Sequence, residues 1–344
     1  MADPAELKSL VRRLAGELGF VCVGVAPVGV SGRADCFHRF IDEGLHAEMA
    51  YLARDAAGRC DSRELLEGAT SVICLAVSYA PAENEPCAIA RYARGRDYHR
   101  LLRKRCRKLT DALAAQVSDL RTRICVDTAP ILERDQAAAA GLGWIGRNGC
   151  LINAKWGSYL LLAEIITNLP LEADGPAPNR CGDCRVCIDA CPTGAIRPDG
   201  LVDSRRCISY LTIEHRGEIP AELAGAMGES VFGCDVCQAV CPHNRRRDLP
   251  AGNEELRGPS DLARTPPAAM LAWTEPQWDR LTRGSAGRRA RLEMYLRNAA
   301  IAAGNAGDDS ARPALDRLTR HASAPVAAAA RWAAAKLAGG SEAV

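Results

Sequence analysis

The sequence lacks the features that mark several common classes of protein. No apolar run approaches the roughly 18 residues that a membrane-spanning helix needs, so we expect no membrane segment. The formal net charge is only +2, so net charge gives no argument for a nucleic-acid partner. A P-loop is also absent, and the one nearby glycine-rich segment, GLGWIG at 141–146, has the G-x-G-x-x-G spacing but not the preceding strand that a dinucleotide-binding fingerprint needs.

The composition is that of a folded chain with more than one domain. Its 344 residues suffice for two or three domains, and 48% hydrophobic with 25% charged residues is typical of a globular protein. An arginine pair, Arg12-Arg13, precedes an apolar segment and faintly resembles an export signal. Apolar residues at helical spacing favour an amphipathic helix over residues 4–18 instead. We therefore expect a cytoplasmic protein.

Cysteine is the residue in excess, and its distribution is uneven. Of 16 cysteines, eight are scattered between Cys22 and Cys150, and eight are crowded between Cys181 and Cys241. One dense block in a long chain indicates metal or cluster ligation rather than a disulfide scaffold. We expect the scattered cysteines to be ordinary thiols of the core.

The spacing within the dense block predicts two iron–sulfur clusters. Residues 181–192 read C-x2-C-x2-C-x3-C-P, residues 234–242 read C-x2-C-x3-C-P, and Cys207 lies between them. In such motifs the cysteine before the proline ligates the other cluster. Zinc is the weaker alternative, since paired C-x2-C motifs also bind zinc. The expected ligand sets are Cys181, Cys184, Cys187 and Cys241 for one [4Fe–4S] cluster, and Cys191, Cys207, Cys234 and Cys237 for the other.

The alternation of patterns predicts an α/β fold followed by helices. Apolar strands and amphipathic helices alternate through residues 1–170, a Pro- and Gly-rich linker follows at 170–179, and three Ala-rich helices follow residue 288. The last part could be a HEAT-type repeat or a plain helical bundle. We expect strands within 20–26, 71–80, 122–130 and 159–167, a helix over 101–117, and irregular structure over 248–285.

Three segments of the first 170 residues are candidates for chemistry. Asp127 ends a strand, where polar residues often face a ligand crevice. It could be a proton donor whose pKa is raised beside an apolar cofactor, or merely a turn cap. The basic stretch 91–100 and the basic helix after it could bind phosphates or form a solvated face. The turn at 144–148 could approach a flat cofactor or simply pack on its Trp. Asp97-Tyr-His99 lacks the glycine of a corrinoid-ligating motif, so a His-ligated corrinoid is not supported.

Several longer segments together resemble one family. They are LAGELGFVCVGVAP (14–27), YARGRDYH (92–99), VDTAPILER (126–134), GLGWIGRNGCLI (141–152) and CISYLTIEHRG (207–217), in this order around the eight-cysteine pattern. With them the chain resembles the epoxyqueuosine reductases, cobalamin- and iron–sulfur-dependent enzymes of tRNA queuosine synthesis. Thr128 and Arg147 depart from the more usual Ser and Lys of the family, and both keep the hydroxyl or the charge.

The resemblance implies a fold and a reaction. It implies a reductive-dehalogenase-like cobalamin domain over 1–170, a ferredoxin-like domain with two [4Fe–4S] clusters over 171–250, and a linker with a HEAT-like tail over 251–344. The activity would be reduction of the epoxide of epoxyqueuosine at the tRNA wobble position. Asp127 matches the family's proton donor, and the clusters would pass electrons to cobalamin. Two other readings stay open: a corrinoid-dependent dehalogenase or processing protein, and a non-enzymatic electron carrier.

The resemblance also implies binding residues and partners. Cobalamin, without a protein His ligand, is expected at positions within or beside the shared segments: Arg91, Tyr98, Arg134, Arg147, Asn148, Cys150 and Ser209. The tRNA anticodon loop is expected on basic residues, with Arg103 to Lys108, Arg245 to Arg247, Arg288, Arg289 and Arg291 as candidates. An external low-potential electron donor and a monomeric chain complete the expectation.

Overall fold

A computed structural model describes residues 3–81, 87–246, 248–257 and 260–339. Its centre is a four-stranded sheet of order β1-β2-β6-β3, antiparallel at every pairing. The strands of the described chain are β1 Cys22–Pro27, β2 Ser71–Ser78, β3 Thr122–Cys125 and β6 Leu160–Thr167, with a small hairpin of β4 Trp144–Ile145 and β5 Leu151–Ile152. All four predicted strand segments are confirmed.

Helices cover both faces of this sheet, which is why its strands are nearly continuous apolar runs. Helices α1 (Pro4–Glu17) and α5 (Tyr98–Ala114) pack on one face. Helix α6 (Glu133–Ala139) packs on the other. On that second face a Cβ at Gly24 would lie 2.1 Å from the Ala140 carbonyl oxygen, so only glycine lets the strand and helix approach so closely. Helices α2 (Ala34–Asp42), α3 (Ala50–Ala53) and α4 (Ala56–Cys60) connect β1 to β2.

Two boundaries differ from expectation for local reasons. Helix α5 begins three residues early, because the Asp97 carboxylate caps it by accepting the His99 backbone N–H at 3.0 Å. The segment 248–285 was expected to be irregular, which is wrong. Four short helices lie there: α11 (Glu254–Arg257), α12 (Asp261–Arg264), α13 (Pro267–Met270) and α14 (Glu275–Thr282). Pro267 and Pro276 stand in first turns, where their missing N–H costs nothing.

The linker 170–179 has neither helix nor strand but is anchored to the first domain. The Asp174 carboxylate accepts the Val25 backbone N–H at 2.9 Å and pairs with Lys8 and Arg12 at 2.8 and 2.5 Å. The amphipathic helix expected at the N-terminus is confirmed as α1. Arg12, one of the two arginines that faintly resembled an export signal, binds this linker.

The cysteine block contains only short helices, α7 (Val186–Asp189), α8 (Ile208–Ile213), α9 (Ala221–Ala226) and α10 (Val236–Ala239). The expected three C-terminal helices are α15 (Leu292–Ala306), α16 (Arg312–Leu318) and α17 (Ala324–Leu337). One hydrophobic cluster joins α8 and α9 to α15 and α17. Within it the buried Arg297 donates to the carbonyls of Leu211, His215 and Gly217 at 2.6 to 3.0 Å. None of the helices in the described ranges is long and apolar enough to cross a bilayer.

Candidate active site

Asp127 occupies a strained turn directly after β3. Its φ of +58° lies in the left-handed region, which costs a non-glycine residue on the order of 1 kcal/mol or more. The turn is held from both sides. The Asp127 backbone N–H donates to Glu133 Oε1 at 2.6 Å, and Arg103 Nη2 donates to Thr128 Oγ1 at 2.9 Å. Strain that neighbouring groups impose at a carboxylate marks a functional position.

The Asp127 carboxylate pairs with a histidine that also binds a second aspartate. His99 Nε2 lies 3.0 Å from Asp127 Oδ2, and His99 Nδ1 lies 2.7 Å from Asp97 Oδ1. Burial opposes the charge on His99, but the two carboxylates outweigh burial and raise its pKa to about 9. At neutral pH the imidazole is therefore protonated between two carboxylates.

The same contact sets the pKa of Asp127. The hydrogen bond from His99 lowers that pKa, against the opposing effect of burial, and the Asp127 side chain keeps 50% of its surface exposed. The expectation of a buried acid with a raised pKa is therefore wrong for the structure described. The physical reason is the imidazolium, which stabilises the ionised carboxylate and itself keeps the proton close by.

Aromatic and basic side chains surround this Asp–His pair. The Tyr98 ring stacks on His99 with ring centroids 4.0 Å apart, and Tyr92 contacts Tyr98 edge-on at 6.2 Å. Arg289 is close enough to lower the pKa of Asp127 further. Arg289 also pairs with Glu214 at 2.8 Å and lies over the exposed Tyr51 ring at 5.9 Å. Side chains from helix α5 and from around Tyr51 and Arg289 therefore lie near Asp127.

The eight cysteines of the dense block fall into two groups. Burial raises the pKa of Cys187 and of Cys241, and the thiols of Cys181 and Cys184 raise both further, so these four lie together. In the same way Cys234 has Cys207 and Cys191 as neighbours, and Cys237 has Cys234 and Cys207. Each group thus takes one cysteine from the other motif, as expected.

All-thiol donor sets suit iron–sulfur clusters. Among the described residues no three His, Cys, Asp or Glu side chains are arranged to hold a single metal ion. Each group of four thiols can give one cysteine to each iron of a [4Fe–4S] cluster.

Two residues of the Gly-rich segment contact the first cysteine group. Trp144 Nε1 donates to Cys181 Sγ at 3.4 Å. Arg147, expected at the cofactor, donates to the carbonyls of Gly182 and Pro198 at 2.9 and 3.4 Å. Arg147 therefore holds the loop between the first two cysteines, while Trp144 contacts the Cys181 sulfur.

Four of the expected cofactor residues lie beside the second cysteine group. The Cys150 thiol lies beside that of Cys237, and Asn148 Oδ1 accepts the Cys150 backbone N–H at 3.2 Å. Asn148 Nδ2 is buried without a partner among the described residues, so it is an available donor for a bound group. Arg134 donates to the Gly149 carbonyl, and Ser209 lies in the first turn of α8 after Cys207.

The remaining two expected cofactor residues are both buried. Arg91 lies over the Tyr159 ring at 5.3 Å, and its Nη1 pairs with Asp235, the neighbour of Cys234, at 3.3 Å. Tyr98 belongs to the wall beside Asp127. The expected cofactor residues therefore extend from Asp127 to the second cysteine group, except Arg147.

The basic residues expected to bind tRNA divide into exposed and engaged side chains. Exposed members include Lys104, Arg107, Lys108, Arg245 and Arg291. Arg103 holds the Asp127 turn, and Arg105 donates to the Gly19 carbonyl. Near the cysteine block and the tail, three further arginines form ion pairs: Arg246 with Asp248, Arg288 with Asp279 and Arg289 with Glu214. Arg247 lies outside the described residues.

Sequence reasoning missed His99, Glu133 and Glu164. The Asp-x-His spacing was a usable signal for His99, but it was tested only against a corrinoid motif. Glu164 stands in the apolar strand YLLLAEIIT (159–167) and is fully buried, and a lone carboxyl in such a strand is itself a signal. Nothing local in the sequence indicates that Glu133 binds the Asp127 backbone.

A proton-holding Asp–His pair beside two groups of cluster-type thiols is the architecture of an iron–sulfur oxidoreductase. The model of the "4Fe-4S double cluster binding domain" matches residues 180–244, and that of "Epoxyqueuosine reductase QueG, DUF1730" matches residues 59–128. The epoxyqueuosine reductase of Pseudomonas aeruginosa is 41% identical over 327 residues, 92% of this chain and 90% of its own. That of Escherichia coli is 40% identical over 319 residues, 89% and 84% of the two chains. The chain belongs to the epoxyqueuosine reductase family.

Solved structures agree over nearly the whole chain. A crystal structure of epoxyqueuosine reductase with an epoxyqueuosine-modified tRNA-Tyr stem loop matches with a TM-score of 0.88 and 30% identity, covering 97% of this chain and 91% of its own. The enzyme of Bacillus subtilis, described with its catalytic aspartate loop swung out of the active site, matches with a TM-score of 0.86, 30% identity and the same coverage.

Proposed function

We propose that this protein reduces the epoxide of epoxyqueuosine in tRNA to the alkene of queuosine. The reaction consumes two electrons and two protons and releases one water. Family membership supports the reaction class, and a solved relative binds an epoxyqueuosine-modified stem loop. The observation that carries the proposal is that a proton source and the second thiol group adjoin. Glu133 contacts the Asp127 backbone, and the next residue, Arg134, contacts the carbonyl of Gly149. Cys150 follows Gly149 and lies beside Cys237.

The two cysteine groups would each hold one [4Fe–4S] cluster. Their close approach forms a route for single electrons through the domain. The second group, Cys191, Cys207, Cys234 and Cys237, is the one adjoining Cys150, so electrons would leave the protein from there. An external low-potential donor would reduce the first group.

Cobalamin would be held between Asp127 and the second cysteine group. The unpartnered Asn148 Nδ2 and the polar groups of Tyr98, Arg134 and Ser209 suit the many amides of a corrinoid, with Arg91, Arg147 and Cys150 behind them. When bound, cobalamin would supply a low-valent cobalt able to engage the epoxide. The protein's own residues would bind it, exclude water and hold the protons.

Asp127 would deliver one proton to the epoxide oxygen, and a second proton, taken from solvent through the same pair, would complete the water that is released. His99 keeps a proton at neutral pH because two carboxylates raise its pKa to about 9. A substrate oxygen that develops negative charge at Asp127 would draw this proton through the carboxylate. Tyr98, hydrogen-bonded to Asp127 and stacked on His99, keeps both groups in one orientation.

The anticodon loop would approach over the exposed basic residues. Lys104, Arg107 and Lys108 on α5, with Arg245 and Arg291, offer cations that phosphates can reach, and Tyr51 under Arg289 offers an aromatic face for a base. We place the protein in the cytoplasm as a monomer, with the domains 1–170, 171–250 and 251–344. The last of these would be a linker and a HEAT-like helical tail, and the first would be the dehalogenase-like cobalamin domain.

Incubation of tRNA with anaerobic protein, cobalamin and a low-potential reductant, followed by nucleoside mass spectrometry, tests the function. We expect epoxyqueuosine to disappear and queuosine to form. Asp127→Asn should keep iron and corrinoid but lose turnover by at least a hundredfold. Asp119→Asn is the matched control, because Asp119 is exposed and has the same left-handed backbone with φ +59°. Unchanged epoxyqueuosine with the wild-type protein would refute the proposal.

A further inference from the structure

A second pair of carboxyls lies behind Asp127. Glu164 stands in the middle of β6, between Cys74 on β2 and Cys125 on β3, and is fully buried. Its side chain points to the α6 face of the sheet, where Glu133 opens α6. The two carboxyls lie within hydrogen-bonding reach of each other.

If both carboxyls were ionised, neither could donate a hydrogen bond to the other. In the doubly ionised form neither Glu164 oxygen has a donor among the residues that the structure describes. An unpaired buried charge without a donor is costly, and a second like charge beside it adds repulsion. A single proton removes both problems, because one carboxyl then donates and the other accepts.

We infer that Glu164 and Glu133 share one proton, with Glu164 as the donor, and that the ionised Glu133 holds the Asp127 turn in its left-handed conformation. Glu133 accepts from two sides: the Glu164 O–H, and the Asp127 backbone N–H at 2.6 Å. Asp127 is thereby aimed at His99. Glu133 and Glu164 are positioning residues, since they act on the substrate only through Asp127.

The electrostatic surroundings agree with this distribution of the proton. Burial raises the pKa of Glu133 to about 7, against the backbone bond from Asp127, and burial followed by repulsion from Glu133 raises that of Glu164 well above the ordinary range. Their mutual hydrogen bond favours ionised Glu133 and protonated Glu164. The charged and titratable groups facing the pair are Asp127, Arg134, Cys74 and Cys125, and Cys106 lies beyond them on the other face of the sheet.

Infrared spectroscopy of the cluster-loaded protein at pH 8 tests the shared proton. Carboxyls with ordinary pKa values are ionised there, so a protonated-carboxyl C=O band that shifts in D2O would report Glu164. We expect this band in the wild type, in Asp127→Asn and in Glu172→Gln, an exposed control, and its loss in Glu164→Gln. A wild type without the band, or Glu164→Gln retaining it, overturns the inference.

The positioning role rests on the proposed function and is tested by single-turnover rates. Glu133→Ala should lower the rate about tenfold without changing the KM for tRNA or the iron content. Glu164→Gln, whose amide can still donate to Glu133, should retain at least fivefold more activity than Glu164→Leu. Equal rates in these two variants would overturn the role. If the wild type shows no turnover, the proposed function fails, whereas the infrared result still decides the shared proton.

Discussion

Replacing His99 by glutamine should destabilise the protein in a pH-dependent way. In the folded protein two carboxylates raise the pKa of His99 from 6.5 to about 9. A group with a raised pKa stabilises the fold fully below its unfolded pKa, and this stabilisation is lost as the pH rises through the folded pKa. The variant should therefore differ most from the wild type at pH 6 and least at pH 10.

The expected magnitude follows from the displacement of the pKa. From this difference in the pKa of His99, proton linkage gives a stabilisation of the folded state of about 2.5 kcal/mol at pH 7 and almost none at pH 10. Half of the Asp127 side chain is exposed, so solvent screening reduces this to about 1–1.5 kcal/mol. For a chain of this size that corresponds to a decrease in melting temperature of roughly 1.5–2 °C.

Anaerobic thermal unfolding, followed by circular dichroism at pH 6, 8 and 10, measures the effect. His38→Gln is the matched control, because the His38 ring makes no ion pair among the described residues. The decrease for His99→Gln should shrink toward zero at pH 10. A decrease that is constant across this range, or that grows with pH, would refute the assignment of a protonated His99 between Asp97 and Asp127.

Three further predictions concern other contacts of the site and its support. Trp144→Phe removes the N–H donor to Cys181, and this hydrogen bond stabilises negative charge on the sulfur. The midpoint potential of one cluster should therefore fall in a redox titration followed by electron paramagnetic resonance. Unchanged potentials would contradict this prediction. Arg103→Gln releases Thr128 and should lower the turnover about tenfold, or about 1.4 kcal/mol, at constant KM for tRNA, whereas a raised KM would indicate phosphate binding instead. Arg297→Met leaves three buried carbonyls without their donor and should destabilise by about 2–4 kcal/mol, seen as a lower melting temperature with retained iron.

Local pattern was sufficient for the main strands and helices and for the grouping of the cysteines. The strands of the sheet, helix α1 and the three C-terminal helices follow from apolar periodicity, since each buries one face or both against the core. The crosswise grouping of cysteines follows from motif spacing because a tight turn carries neighbouring thiols to one place, while the cysteine before the proline faces away. The short helices over 248–285 were missed because their prolines indicated breaks, although first turns accept proline.

The sequence by itself determined the chemical inventory: a strand-end aspartate, eight cluster cysteines, a basic helix and a lone glutamate in an apolar strand. Only the tertiary structure decided what these groups do to one another. His99 meets Asp127 across 28 residues of chain, and Glu164 of β6 meets Glu133 of α6 on one face of the sheet. Spacing within a turn is a local property of the backbone, whereas a pKa depends on the burial and charge that distant segments bring together. The direction of the shift at Asp127 could therefore be learned only from the folded chain.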